Sequence, residues 1–152
     1  MRFVLDTSII ILMMKSKKFS AYFQKHFLQD PSNSFSICFV SLGEIDSIAK
    51  QNQWGSNKMK ELNGLLKNIS IIPLNHKKYS QTYGEIDAYS QGKLKGIGFP
   101  SSFSARNMGK NDLWIAAVAR ALEATLITSD KDFEHLNGVL LQVEYIDVRD
   151  FA

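Results

Sequence analysis

The stretch Arg2-Phe3-Val4-Leu5-Asp6-Thr7-Ser8 decides how this chain is read. Arg2 to Leu5 is a short β-type run. Asp6, Thr7 and Ser8 all favour helix N-termini, and the apolar segment Ile9 to Met14 follows at once. A strand that passes directly into a helix is the opening of an α/β unit, and the same grammar recurs downstream. Phe35 to Val40 predicts a second strand, running into Ser41-Leu42-Gly43-Glu44 and a helix that reaches Lys50, with Leu42, Ile45, Ile48 and Ala49 on one face. Ile69 to Ile72 is a short third strand ended by Pro73. Thr125 to Thr128 is a strand followed by a helical turn from Asp130 to Leu136, and Val143 to Val148 is a final strand or edge.

Helices fill the intervals. Lys18 to Leu28 carries Phe19, Tyr22, Phe23 and Phe27 at helical spacing, which marks them as core or interface, and Asp30-Pro31-Ser32-Asn33 stops it. Lys58 to Leu66 and Lys77 to Gln91 predict two more. Asn111 to Ala124, with Leu113, Trp114, Ile115, Val118 and Leu122 set among alanines, is apolar enough to be buried almost all round. The pattern predicts an α/β fold with a mostly parallel central sheet flanked by helices on both faces.

With 152 residues, 45% hydrophobic and 22% charged, the composition fits one domain over residues 1–152. A single cysteine, Cys38, excludes an internal disulfide and a multi-cysteine zinc site, and suits a cytoplasmic location. The apolar run Ile9 to Met14 is too short to span a bilayer, so no membrane association is expected. The formal charge of +3 is compatible with a polyanionic partner without demanding one. Its distribution says more. No acid occurs between Asp87 and Asp112, whereas Lys93, Lys95, Arg106 and Lys110 all do, in a segment from Gly92 to Lys110 rich in glycine and serine. That segment reads as a long loop, either simply solvated or positioned to contact a phosphate backbone.

Asp6, Glu44, Asp112 and Asp130 each fall just past a strand or in the first turn of a helix. Any one of them has a structural explanation: Ser41 and Glu44 match a capping box, and the aspartates complement helix N-termini. Capping needs no common location, however, while strand-then-helix units of a parallel sheet bring these termini to one side, in the crevice beyond the strands' carboxyl ends. Converging carboxylates raise one another's proton affinity unless a cation offsets them. Oxygen-only ligation favours a hard divalent ion, Mg²⁺ or Mn²⁺, whose bound water supplies a nucleophile for phosphodiester hydrolysis.

Other chemistries fit less well. His26, His76 and His135 lack metal-ligand spacing and read as surface or capping residues. Cys38 lies in an apolar strand, as a packed thiol would. No phosphate-binding G-x-x-x-x-G-K-[ST] loop and no G-x-S-x-G nucleophile elbow occurs.

Val4-Leu5-Asp6-Thr7-Ser8, the glutamate of Ser41-Leu42-Gly43-Glu44-Ile45, Asn111-Asp112-Leu113-Trp114-Ile115-Ala116-Ala117 and Thr128-Ser129-Asp130-Lys131-Asp132-Phe133 together resemble the PIN-domain ribonucleases, and within them the VapC toxins of bacterial toxin-antitoxin pairs. The resemblance spans nearly the whole chain. It implies a Mg²⁺-dependent endoribonuclease with Asp6 and Asp112 as the principal metal ligands, and with Glu44 and Asp130 completing the pocket directly or through water. Thr7 or Ser8 would orient Asp6. Asp132 stands between two roles, an acid of the site and a cap of the turn that contains Phe133.

The resemblance further implies an RNA substrate, a cognate antitoxin docking near the site, and homodimers. Ile10, Met13, Met14 and Phe23 are either contacts for such partners or ordinary core. Two competing readings are a non-catalytic RNA- or partner-binding module and a phosphatase of the haloacid-dehalogenase type. The first gains nothing from acids placed beside a phosphate backbone. The second wants an aspartate at the position of Ser8.

Overall fold

A computed structural model describes all residues, 1–152. Its centre is a five-stranded, entirely parallel sheet in the order β3-β2-β1-β4-β5, with β1 Arg2–Leu5, β2 Ser34–Cys38, β3 Ser70–Ile72, β4 Thr125–Thr128 and β5 Val143–Tyr145. The helices are α1 Thr7–Lys15, α2 Lys17–Phe23, α3 Phe39–Gln51, α4 Ser56–Leu66, α5 Lys77–Ser90 and α6 Lys110–Ala121. Three short turns complete the chain: a π turn over Gln24–Leu28 and 3₁₀ turns over Lys131–Leu136 and Val148–Phe151.

Alternation along the strands divides the interior in two, because successive side chains of a strand point to opposite faces. Phe3 and Leu5 of β1, Phe35 and Ile37 of β2 and Ile127 of β4 pack with α1, α2 and the buried Ile45 of α3 and Leu62 of α4. Val4, Cys38 and Leu126 pack on the other face, with Tyr79, Ile86 and Tyr89 of α5 and the apolar side of α6. Leu113 and the run Ile115 to Ala119 of α6 are buried, as the alanine-rich sequence predicts. The alanines let α6 lie close to the strands. The aromatic residues Phe19, Phe23 and Phe27 are core, and so are Ile10 and Met13, which removes Ile10, Met13 and Phe23 from any docking surface.

Strand order places the site. From β1 the chain moves outward to β2 and β3, then returns to the other side of β1 to form β4 and β5. β1 and β4 therefore flank the point where the winding direction reverses, and a crevice opens beyond their carboxyl ends. Asp6 follows β1 and Asp130 follows β4 across that crevice, which the Asp6 amide closes by donating to the Ile127 carbonyl at 3.0 Å.

Three local expectations are corrected. β2 ends at Cys38 rather than Val40, because Phe39 and Val40 already belong to α3. Ser41 and Glu44 thus sit inside the helix and make no capping box: Ser41 is buried without a hydrogen-bond partner, and Glu44 bonds elsewhere. β5 is shorter than predicted and pairs in parallel with β4. The segment between α5 and α6 contains no helix or strand, as its glycines and serines predict.

Candidate metal centre

Asp6 is 5% exposed, and both hydroxyls around it are arranged to hold it. Its Oδ2 accepts from Ser8 Oγ at 2.9 Å and from Thr128 Oγ1 at 2.7 Å. The same two hydroxyls accept backbone amides from beyond β4: Thr128 Oγ1 takes Asp130 N–H at 3.0 Å, and Ser8 Oγ takes Ser129 N–H at 3.2 Å. The carboxyl ends of β1 and β4 are in this way tied through one carboxylate. Burial pushes Asp6 upward, against the lowering influence of Thr128 and Ser8, and Asp130 adds to the rise.

Glu44 reaches the same region from α3, in the second turn past β2. Its Oε1 accepts from Thr7 Oγ1 at 2.9 Å. Thr7 therefore orients Glu44, while Ser8 orients Asp6. Asp112 stands in the first turn of α6, where the helix dipole favours an anion. Even so, its carboxyl is pushed up to about 7, first by burial and then by the charges of Asp6, Asp130, Glu44 and Asp132. Burial is the larger cause, and four acids from other segments, close enough to oppose the ionisation of a fifth, add to it.

The tightest group is Asp112, Asp130 and Asp132, which offer carboxylate oxygens all within 4.8 Å of one another. Asp130 does cap the turn after β4, accepting from the Asp132 amide at 2.9 Å through Oδ1, yet its other oxygen is left for the cleft. Asp132 is not the cap, so its carboxylate joins the cluster. All four acids singled out from the sequence, Asp6, Glu44, Asp112 and Asp130, line one cleft of about 430 Å³ with Thr7, Ser8 and Lys15. A donor set made only of carboxylates, with one member pushed up to about 7 by burial and then by its neighbours, is compatible with a hard divalent cation such as Mg²⁺ or Mn²⁺.

The loop cations are less concentrated. Lys110 lines an outer cleft with Glu44, Gly109, Asn111 and Asp112. Lys93, Lys95 and Arg106 line neither that cleft nor the inner one. Arg106 lies over the Phe103 ring, and its charge is felt at His135. A cleft of about 670 Å³ at the amino ends of the strands contains Glu85 and Arg120, which are paired with each other and gather no acid cluster.

His135 departs from expectation. It is 1% exposed, not superficial, and its Nε2 lies 2.7 Å from Ser90 Oγ, which also contacts Met108 Sδ at 3.2 Å. Burial holds the imidazole down at about 4. This buried group fastens the end of α5 and the approach to α6 onto the turn carrying Asp132. His76 does cap α5, accepting from the Lys78 amide at 3.0 Å, and His26 is exposed.

Two side chains, one buried behind the cleft and one lining it, do not stand out in the sequence. Thr128 is the last residue of β4 and looks like strand; only its bond to Asp6, 122 positions away, reveals its role. Thr128→Val keeps the shape and removes both bonds, so it should cost about 1–3 kcal/mol, the penalty for stranding buried polar groups. Urea denaturation measures this, and an unchanged midpoint would contradict the arrangement. Lys15 ends α1, and the spacing Ser8, Ile11, Leu12, Lys15 is the available signal that it shares a face with Ser8.

Comparison with known proteins agrees with this geometry. Residues 3–139 match the family model described as the PIN domain. The chain is 28% identical over 150 residues to Ribonuclease VapC1 of Haemophilus influenzae strain R2866, covering 93% of this chain and 97% of that protein. Among solved structures, VapBC-1 from nontypeable Haemophilus influenzae aligns with a TM-score of 0.70 and 26% identity, covering 95% of this chain and 98% of the other. VapBC2 from Rickettsia felis, bound to a DNA fragment from its promoter, aligns with a TM-score of 0.72 at 22% identity, covering 97% and 100%. With the family model spanning most of its length, and the acids at the carboxyl edge of a parallel sheet, this chain belongs to the PIN domain family.

Proposed function

We propose that the protein is a Mg²⁺-dependent endoribonuclease, the toxin of a type II toxin-antitoxin pair, with residues 1–152 forming one nuclease domain. The observation that carries this reading is the convergence of carboxylates from β1, α3, α6 and the turn after β4 on a single cleft, with Asp112 raised to about 7. Its similarity to Ribonuclease VapC1 supports RNA as the substrate, and the solved VapBC complexes support a cognate antitoxin as partner. Homodimers and a cytoplasmic location complete the proposal. No helix is long and apolar enough to cross a membrane, which agrees with it.

Asp112 and Asp130 are the residues that would hold the ion most directly, with Asp6, Glu44 and Asp132 completing the pocket directly or through water. A bound divalent cation supplies an acidified water and offsets charge on the phosphoryl oxygens. The protein's own residues supply the rest. Ser8 and Thr128 fix Asp6 in one rotamer, and Thr7 does the same for Glu44. Asp112, whose carboxyl is pushed up to about 7 by burial and then by the neighbouring acids, would be one of the carboxylates that hold the ion in its ionised form. Incubating the purified protein with total RNA and Mg²⁺, then mapping new ends, tests the reading. Defined ends that vanish with chelator support it, and intact RNA in both samples defeats it.

Lys93, Lys95, Arg106 and Lys110 are proposed to guide the RNA strand. Replacing all four with alanine should weaken RNA binding and flatten its dependence on salt, by about 0.7 in logarithmic slope for each phosphate of a single strand that is no longer neutralised. A salt series followed by fluorescence anisotropy measures this. An unaltered slope would remove the loop from the substrate path.

A further inference from the structure

We propose that Lys15 contacts the RNA backbone inside the cleft and that, with Lys110, it sets the path of the strand across the acids. The inference rests on the ribonuclease reading and adds a substrate-binding residue to it. Lys15 is the only cation among the residues lining the inner cleft, where Asp6, Glu44, Asp112 and Asp130 supply four carboxyl groups. Lys110 is the only cation of the outer cleft. Glu44 and Asp112 line both, so they form a shared wall with one lysine on each side.

Neither lysine is in an ion pair. The ion pairs of the chain are Arg120 with Glu85 and Arg149 with Asp147. A lysine that lines an acidic cleft, is itself exposed, and pairs with none of its carboxylates keeps its donors for an incoming anion. The position follows from α1 itself. Ser8, Ile11, Leu12 and Lys15 recur at helical spacing on the face that lines the cleft. Seven residues at 1.5 Å rise carry Lys15 about 10 Å along the axis from Ser8, which itself holds Asp6. That separation suits a phosphate flanking the scissile one rather than the scissile phosphate.

A lysine in the last turn of a helix also complements the helix dipole, and that explanation holds for any lysine at such a terminus. It does not account for Lys15 being among the residues that line the acidic cleft. The two roles separate in a binding experiment with the full-length protein. Affinity for a labelled single-stranded RNA carrying 2′-O-methyl groups, which resists cleavage, is measured in Mg²⁺ across a salt series.

Lys15→Ala should raise the dissociation constant about tenfold and lower the logarithmic salt slope by about 0.7. Lys15→Arg should restore both. Lys60→Ala on α4, which changes net charge equally, should alter neither. Mn²⁺ affinity measured by calorimetry should not fall in Lys15→Ala, because a positive charge has been removed from beside the acids. Equal affinity and equal slope for Lys15→Ala and wild type would overturn the inference, and so would a loss in Lys15→Arg matching that in Lys15→Ala. Wild-type protein that binds this RNA but leaves unmodified RNA uncut in Mg²⁺ would defeat the ribonuclease reading instead, with the binding comparison still judging Lys15.

Discussion

Asp112→Asn should reduce RNA cleavage by on the order of 10³-fold, because about 4 kcal/mol of transition-state charge compensation at roughly 1.4 kcal/mol per decade is lost with the ligand charge. The same variant should fold at least as well as wild type. Asn has nearly the volume of Asp, and its neutral amide removes one negative charge from a group in which burial and four acids already oppose ionisation. Loss of activity with an equal or higher melting temperature in metal-free buffer separates a role in the chemistry from structural damage. Full activity in Mg²⁺ would refute the assignment of Asp112.

The second large effect is on stability. In the unfolded chain Asp112 titrates near its ordinary value of 3.8, and in the folded protein near about 7. Between those limits the native state holds a proton that the unfolded state has released, so raising the pH through this interval favours unfolding. Asp6, also raised, acts in the same direction. His135 acts oppositely: its value falls from 6.5 to about 4 on folding, so its contribution is lost as pH falls from about 6.5. The readout is therefore the difference between wild type and Asp112→Asn across pH 4 to about 7, with wild type losing ground as pH rises.

A divalent cation should restore that loss. At a Mg²⁺ concentration about 100-fold above its dissociation constant the native state gains about 2.7 kcal/mol, which for a chain of this size raises the melting temperature by about 5–10 °C. Asp112→Asn should blunt the response. Melting temperatures of wild type that are indifferent to Mg²⁺ would contradict a cation site in this cleft.

Much of this arrangement is legible in the chain itself, and particular residues show where legibility stops. Asp6 and Asp130 each follow a clean apolar run, so strand patterning alone puts them at one sheet edge. Asp112 is visible because α6 is so apolar that a single acid in its first turn stands out. Glu44 stands out for the wrong local reason. Its spacing from Ser41 imitates a capping box, but Phe39 and Val40, β-type by composition, begin α3, with Val40 packed against the core and Phe39 exposed. Side-chain preference is a weak prior that tertiary packing overrides.

Asp132, Thr128 and His135 depend on contacts across long sequence separation, which no local pattern encodes. Asp132 cannot be separated from a turn cap until the bond from its own amide to Asp130 shows which residue caps. His135 looks superficial in sequence because its flanking residues Glu134 and Asn137 are polar and exposed. Its burial follows from Ser90 bonding its ring, and from the rings of Tyr89 and Phe99 packing against it, from segments more than thirty positions away. The loop cations illustrate the converse: a cluster in sequence is dispersed in space, and only Lys110 reaches a cleft that contains the acids.

The central claim is that carboxylates from remote segments share one divalent cation. Anomalous diffraction from crystals grown with Mn²⁺ tests it most directly. A peak is expected in the inner cleft within about 2.0–2.2 Å of oxygens from Asp112 and Asp130, the coordination distance of a small hard cation, with Asp6 or Asp132 in reach of the ion or its waters. Density for Mn²⁺ only elsewhere on the molecule, or Asp6 and Asp112 turned toward separate regions with no ion between them, would contradict the account.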